Sequence, residues 1–303
     1  MTEDYRQYLD PRVLSRIAQF ELKARLIVEG FLQGLHRSPF HGFSVEFAEH
    51  RDYVAGDDVR HVDWKAYAKT NRLYIKQYEE ETNLRCTIAL DTSRSMAYAS
   101  NGITKLQYGA FVAGSMAFLA HRQRDAVGLA LLDASNGGLL RGSLLRHSAH
   151  PAHLKMIFRS LQNATPEGRS RLGAALHELA GRIPERGLVA IISDFFAPLN
   201  DTLAALRHLR HRRHDIIAFH ILDPDEISFP FEHPMLFRDL EGEGELVADA
   251  RALRDGYLHE LRSFVEHLRR GCQQNEVDYS LLETSQPLDV ALSKYLAARL
   301  ARR

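Results

Sequence analysis

The chain has 303 residues, 45% hydrophobic and 26% charged, the balance of a globular protein with one large domain or two modest ones. Lys and Arg total 39 and Asp and Glu total 39, so the formal charge is zero with neutral histidines, which argues against a general nucleic-acid binder, whose domain is basic. The start, MTEDYRQYLD, has no apolar signal core, and no run reaches the roughly 18 apolar residues of a membrane span, so a cytoplasmic protein without a span is expected.

In chain order, residues 11–34 predict a packing helix: Leu14, Ile17, Phe20, Leu26, Ile27 and Phe31 give it an apolar face, and Gly34 ends it. Residues 36–80 are dense in charge and aromatics. Phe43, Val45 and Phe47 alternate with Ser44 and Glu46 as in a strand, Gly56-Asp57-Asp58 reads as a turn or cap, and Val62, Trp64 and Tyr67 form a short packing element. Leu73 and Ile75 mark another strand, expected to extend the main sheet because it leads almost directly into the next apolar run. Arg51, Asp57, Asp58, Arg60, Asp63 and Lys65, with the neighbouring Trp64, admit two readings. They form partly buried salt bridges that fix this segment on the main domain, or they form an exposed docking surface.

Cys86–Leu90 is a short apolar run, read as a buried strand. Residues 104–122 predict a helix apolar almost all round, with small Gly109, Ala110, Gly114 and Ala117 permitting close approach. Strands follow at 125–132, 139–145, 187–192, 215–222 and 277–282, with helices at 153–161, 172–183, 203–211, 249–272 and 288–300, and a hairpin at 235–247. Strands apolar throughout that alternate with helices indicate an α/β, doubly wound, mainly parallel sheet covered by helices on both faces, with an N-terminal helix and a β-containing extension. The division expected is an extension over residues 1–83 packed on a main domain at 84–303. Cys86 and Cys272 read as two reduced, buried thiols. His208, His211, His214 and His220, beside Arg207, Arg210, Arg212 and Arg213, match no helix-borne zinc spacing and read as a solvated basic helix end or a patch for an acidic partner.

The first core strand opens into Asp91-Thr-Ser93-Arg-Ser95, a carboxylate and two hydroxyls on alternate residues of a loop. Oxygen-only ligands suit a hard cation such as Mg²⁺, which takes about six oxygens at about 2.1 Å. Alternatively, Asp91 and Ser95 cap the next helix. In open parallel sheets, ligands sit beyond the carboxyl ends of strands at the switch point of strand order. A strand order of 3-2-1-4-5-6 makes the strands ending at Asp91 and Asp194 neighbours that flank one crevice. Ser170, before the helix at 172, either reaches that crevice or caps the helix.

Asp91-x-Ser93-x-Ser95, Ser170 before Leu172-x-x-Ala175-Leu176, and Ser193-Asp194 after an apolar strand resemble the metal-ion-dependent adhesion site of von Willebrand factor type A domains, over residues 84–225. Ser170 stands where that family usually has Thr; it keeps the hydroxyl but lacks the methyl that restrains the rotamer. Gly42-x-Ser44-x-Glu46-Phe47, Arg51-x-Tyr53, Gly56-Asp57-Asp58-x-Arg60 and Val62-Asp63-Trp64-Lys65 resemble the signature of the bacterial domain-of-unknown-function 58 family. That resemblance implies an adaptor or co-chaperone role beside a MoxR-type AAA+ ATPase, with a client protein as a further partner, in a form without a membrane span.

Asp91 and Asp194 would roughly neutralise a divalent ion (Mg²⁺, Mn²⁺ or Ca²⁺), and Ser93, Ser95 and Ser170 would add neutral ligands and leave a position for a partner's carboxylate. Metal-dependent protein binding is thus the leading expectation, without enzymatic activity. The alternatives are a metal-independent scaffold that docks through residues 36–80 and a metal-dependent phosphohydrolase, for which a general base and a Gly-rich phosphate loop are missing.

Overall fold

The computed structural model describes residues 45–54, 62–80, 84–132, 144–184, 186–242 and 244–286. The helices expected at 11–34 and 288–300, the first part of the strand expected at 139–145, and Asp57, Asp58 and Arg60 lie outside the described residues, as do the side chains of Arg51 and Lys65. The described chain falls into two compact units, one within residues 28–83 and one from Leu84 onward.

The smaller unit is a hairpin with a helix in its connection. Strand β1 (Val45–Asp52) pairs antiparallel with β2 (Tyr74–Glu80), with an irregularity between Phe47 and Glu49. Helix α1 (Trp64–Thr70) is started by Asp63, whose Oδ1 accepts from Ala66 N at 3.1 Å and so satisfies a first-turn donor. Trp64 is 62% exposed and meets Tyr67 edge to face at 6.2 Å. The expectation that this segment extends the core sheet is not met: β1 and β2 form a two-stranded sheet of their own. Their alternating polar pattern suits a two-stranded ribbon, whereas strands buried on both faces are apolar throughout.

The larger unit is built on a six-stranded sheet in the order β10-β7-β6-β3-β4-β5. Its strands are β3 (Arg85–Asp91), β4 (Ala126–Leu132), β5 (Leu144–Ser148), β6 (Gly187–Ser193), β7 (His214–Leu222) and β10 (Val277–Glu283). Neighbours are parallel except β4 and β5, which are antiparallel. Counted from β3, this is the 3-2-1-4-5-6 order expected from the sequence.

Side chains alternate between two cores, as the two-residue period of a strand requires. Cys86, Ile88 and Leu90 of β3 join α2 (Lys105–Arg122) and α3 (Pro151–Gln162) on one face. Ala89, with Val189 and Ile191 of β6, joins α4 (Leu172–Arg182), α5 (Leu199–His211) and α7 (Ala250–Gln274) on the other. Gly109 seats α2 on the sheet: a Cβ there would lie 3.0 Å from Leu90 and 3.2 Å from both Ile192 and Ile221. Short helix α6 (Pro224–Ser228) follows β7, and β8 (Pro234–Arg238) with β9 (Glu245–Asp249) forms an antiparallel hairpin.

In the larger unit two elements depart most from expectation. Strand β5 is the mixed segment Leu-Leu-Arg-His-Ser, a half-buried antiparallel edge without the continuous apolar run of a central strand. Helix α5 starts at Leu199, four residues early, because its first turn is polar and its apolar period begins at Leu203. Cys86 and Cys272 are buried free thiols, each pushed up to about 12 by burial, Cys86 also by the Asp125 charge.

Asp125, just before β4, accepts from Leu84 N at 3.0 Å. Burial pushes its carboxyl from 3.8 up to about 7, although that hydrogen bond opposes the shift. The folded chain therefore holds this proton more tightly than the unfolded chain, and the stability it contributes is full below 3.8 and lost as pH rises through about 7. Asp125→Asn keeps an oxygen for Leu84 and removes the titration. Relative to wild type, the variant should gain roughly 2–3 kcal/mol in urea unfolding between about pH 5 and about pH 8.

Candidate functional site

Parallel pairing of β3 with β6, in register Leu90↔Ile192, brings the two strand ends side by side. Asp91 and Asp194 stand at those ends, at the switch point of the sheet, both buried at 3 and 0% exposed. The first loop is fixed at once: Thr92 directs both its backbone N (3.1 Å) and its Oγ1 (3.0 Å) to Leu132 O at the end of β4. Ser93 N donates to Asp91 Oδ1 at 2.9 Å, and Ser93 Oγ stands 3.0 Å from Ser95 Oγ in a 3-10 turn over Arg94–Ala97. The next helix, α2, is capped by Thr104 and Gln107, so Asp91 and Ser95 are not its caps.

The second loop is stitched to the first by Glu167 N to Thr92 O at 2.8 Å and Arg94 N to Gly168 O at 3.1 Å. Gly168 turns the chain there with φ +71°, a value that suits glycine. Ser170 is 8% exposed, and the N-cap position of α4 falls to Arg171, so Ser170 is not that cap. Its Oγ is buried without a hydrogen-bond partner. Its backbone N donates 2.9 Å to Glu241 Oε2, from the loop between β8 and β9.

In the third loop, Ser193 Oγ donates 2.6 Å to Asp91 Oδ2 and accepts from Phe195 N at 2.8 Å. Phe195 has φ 55°, a left-handed backbone uncommon for a bulky residue. Asp194 Oδ1 accepts from Phe196 N at 3.2 Å, and its Oδ2 accepts from Lys105 Nζ at 2.7 Å. Lys105 is 1% exposed, donates also to Glu226 Oε1 at 2.6 Å, and lies 4.8 Å from the centre of the Phe196 ring.

The electrostatics follow from this packing. Burial first, and then the charge of Asp194, push the Asp91 carboxyl up to about 6 against the hydrogen bonds from Ser193 and Ser93. Burial alone would lower the Lys105 ammonium, but Asp194 and Glu226 overcome it and hold the group above the ordinary lysine value. The sequence showed two carboxylates and three hydroxyls; the structure adds Lys105, Glu226 and Glu241. No local pattern marks Lys105 or Glu241, although Asp223 and Glu226 do carry a capping-box spacing, which α6 uses.

All five expected ligands, Asp91, Ser93, Ser95, Ser170 and Asp194, lie on the three loops at this end of the sheet. Their donor set is oxygen only, with repelling buried carboxylates and an orphaned Ser170 hydroxyl, which suits a hard cation. Among the described residues no group of three or more His, Cys, Asp or Glu side chains is placed to hold a metal, so the hydroxyls would have to complete any such site. Of the residues expected in the docking segment, Asp63 and Trp64 have described side chains: Trp64 is exposed, whereas Asp63 is buried and caps α1. The reading of a basic helix end fits His208 and His211, in the last turn of α5, and is corrected for His214 and His220, which are buried in β7, 1% and 0% exposed, because the apolar strand carries them into the core. His220 meets Tyr279 Oη at 2.7 Å, and burial pulls its pKa down to about 4.

Strand order and helices on both faces make this a doubly wound α/β domain of von Willebrand factor type A-like fold. The chain belongs to the family described as Protein of unknown function DUF58, which it matches over residues 49–265. The uncharacterized protein Rv1480 of Mycobacterium tuberculosis is 27% identical over 268 residues, covering 87% of this chain and 83% of that protein. An aerotolerance-related membrane protein from Bacteroides fragilis shares 13% identity, with a TM-score of 0.47 over 73% of this chain and 100% of that one. The SpRpn10 VWA domain shares 11%, with a TM-score of 0.38 over 73% and 96%. The expectation of a cytoplasmic location is corrected by these neighbours, one of which is described as a membrane protein. No helix among the described residues is long and apolar enough to cross a membrane.

Lys105→Met would leave the buried Asp194 and the partly buried Glu226 without their cation. Chemical denaturation should show a loss of about 3–5 kcal/mol, part of it recovered in the Lys105→Met, Asp194→Asn double variant.

Proposed function

We propose that this chain is a metal-dependent protein-binding adaptor or co-chaperone that works with a MoxR-type AAA+ ATPase and its client. The observation that carries the metal reading is the pair of buried carboxylates, Asp91 and Asp194, on adjacent strand ends, together with the unpartnered Ser170 hydroxyl on the loop stitched to the first. Asp91, Ser93, Ser95, Ser170 and Asp194 would hold Mg²⁺, Mn²⁺ or Ca²⁺. The bound ion would supply an electrophilic position for a carboxylate of the partner. Ser193 orients Asp91, and Lys105 with Phe196 N orients Asp194. The ATPase as partner rests on the family resemblance of the upstream motifs.

A second reading has an observation of its own. Trp64 and Tyr67 present an exposed aromatic pair, the residue type that anchors protein interfaces, so docking through residues 36–80 without metal is the competing arrangement.

Calorimetry with Mn²⁺ should give an affinity that Asp91→Ala and Asp194→Ala each reduce at least tenfold, worth about 1.4 kcal/mol or more. The affinity should also fall as pH drops through about 6, where Asp91 takes up its proton. The AAA+ ATPase should be retained by the immobilised chain in Mg²⁺ and released by EDTA. Retention unaffected by EDTA and lost in Trp64→Ala would overturn the metal reading in favour of the second.

A further inference from the structure

A site that receives a partner's acid must have a place for it, yet Asp91, Ser93, Ser95, Ser170 and Asp194 are all below 10% exposed, at 3, 0, 9, 8 and 0%. The structure shows an acid already at the second loop. Glu241, between β8 and β9, puts Oε2 at 2.9 Å from Ser170 N, while its Oε1 is buried without a hydrogen-bond partner. The neighbouring Ser170 Oγ is likewise buried and unpartnered. The loop is shaped for this reach: Asp239 Oδ1 accepts from Glu241 N at 2.8 Å, and Asp239 N donates to Gly244 O at 2.9 Å. The hairpin that carries it exposes Leu236, Leu246 and Val247 at 45, 56 and 75%, while Phe237 anchors β8 on the buried Phe229 at 5.8 Å, so opening is confined to the tip beyond the paired strands.

We propose that the Ser170 corner is the seat for a partner's acidic side chain, and that Glu241 occupies it as an internal stand-in. The carboxylate is received by the Ser170 N–H, and the hairpin tip must lift before an external acid can take its place. This deepens the proposed function, and it identifies the ligand class as a glutamate- or aspartate-bearing loop. Because Glu241 does not join Asp91 and Asp194 as a third carboxylate around one ion, its part is to cover the site and hold the Ser170 loop. Binding of a partner acid would then be weakened by the fraction of time the tip is closed.

The test uses the full chain and a fluorescent peptide of the tip itself, residues 236–246, LFRDLEGEGEL, read by anisotropy in Mg²⁺. Glu241→Ala should bind it at least tenfold more tightly than wild type, and Glu241→Gln, which retains an oxygen for Ser170 N, should fall between the two. A peptide with Gln in place of the first Glu should lose that gain. Equal binding by wild type and Glu241→Ala, no binding by either, or equal binding of the Glu and Gln peptides would each overturn the proposal. The same titration in EDTA separates the two claims. A gain that survives EDTA supports the seat at Ser170 and removes the metal from it, whereas a gain that EDTA abolishes supports both.

Discussion

The side-by-side termination of β3 and β6 is the constraint from which the site follows. Parallel pairing through Leu90 and Ile192 leaves no freedom in where the next residues go: two carboxylates emerge together, inside the protein, at the seam where the sheet reverses its order. Buried like charges repel, and the fold meets that cost in three ways. Backbone N–H groups of Ser93 and Phe196 turn inward, Ser193 spends its hydroxyl on Asp91, and Lys105 brings an ammonium from the start of α2. The left-handed Phe195 fits the same account, since the chain must turn sharply after Ser193 to present Asp194 to that ammonium.

Much of this was legible in the sequence because strands buried on both faces cannot hide. Cys86–Leu90 and the run ending in Ser193 admit almost nothing polar, and the helices between the strands show where the crossovers lie. The candidate oxygen ligands were legible for a related reason, since Asp-x-Ser-x-Ser at the exit of such a strand is a local pattern. Lys105 was not legible. In sequence it is an ordinary lysine entering a helix, and only the docking of α2 against β6 and α6 brings its Nζ to Asp194 and Glu226. Glu241 is more remote still, 71 positions from Ser170, in a loop whose composition says only that it turns. The edges were also poorly legible: β5 is half exposed and mixed, and the β1–β2 ribbon lacks the apolar signature that would place it in or out of the main sheet.

The two units carry their information differently. In the larger one, the candidate site sits where the strands end, so its side-chain positions are inherited from the sheet. In the smaller one the described surface offers a tryptophan and a tyrosine on a short helix, a contact whose geometry depends on one seven-residue element and its Asp63 cap.

The two cysteines have a consequence of a different kind. Cys86 belongs to the core shared with α2 and α3, and Cys272 to the core shared with α4, α5 and α7, so each helical layer encloses one silent thiol. Peeling of one layer would make one thiol reactive and leave the other protected, whereas loss of the sheet would release both together. The chain thus carries a native pair of reporters whose order of alkylation tells which side of the sheet opens first.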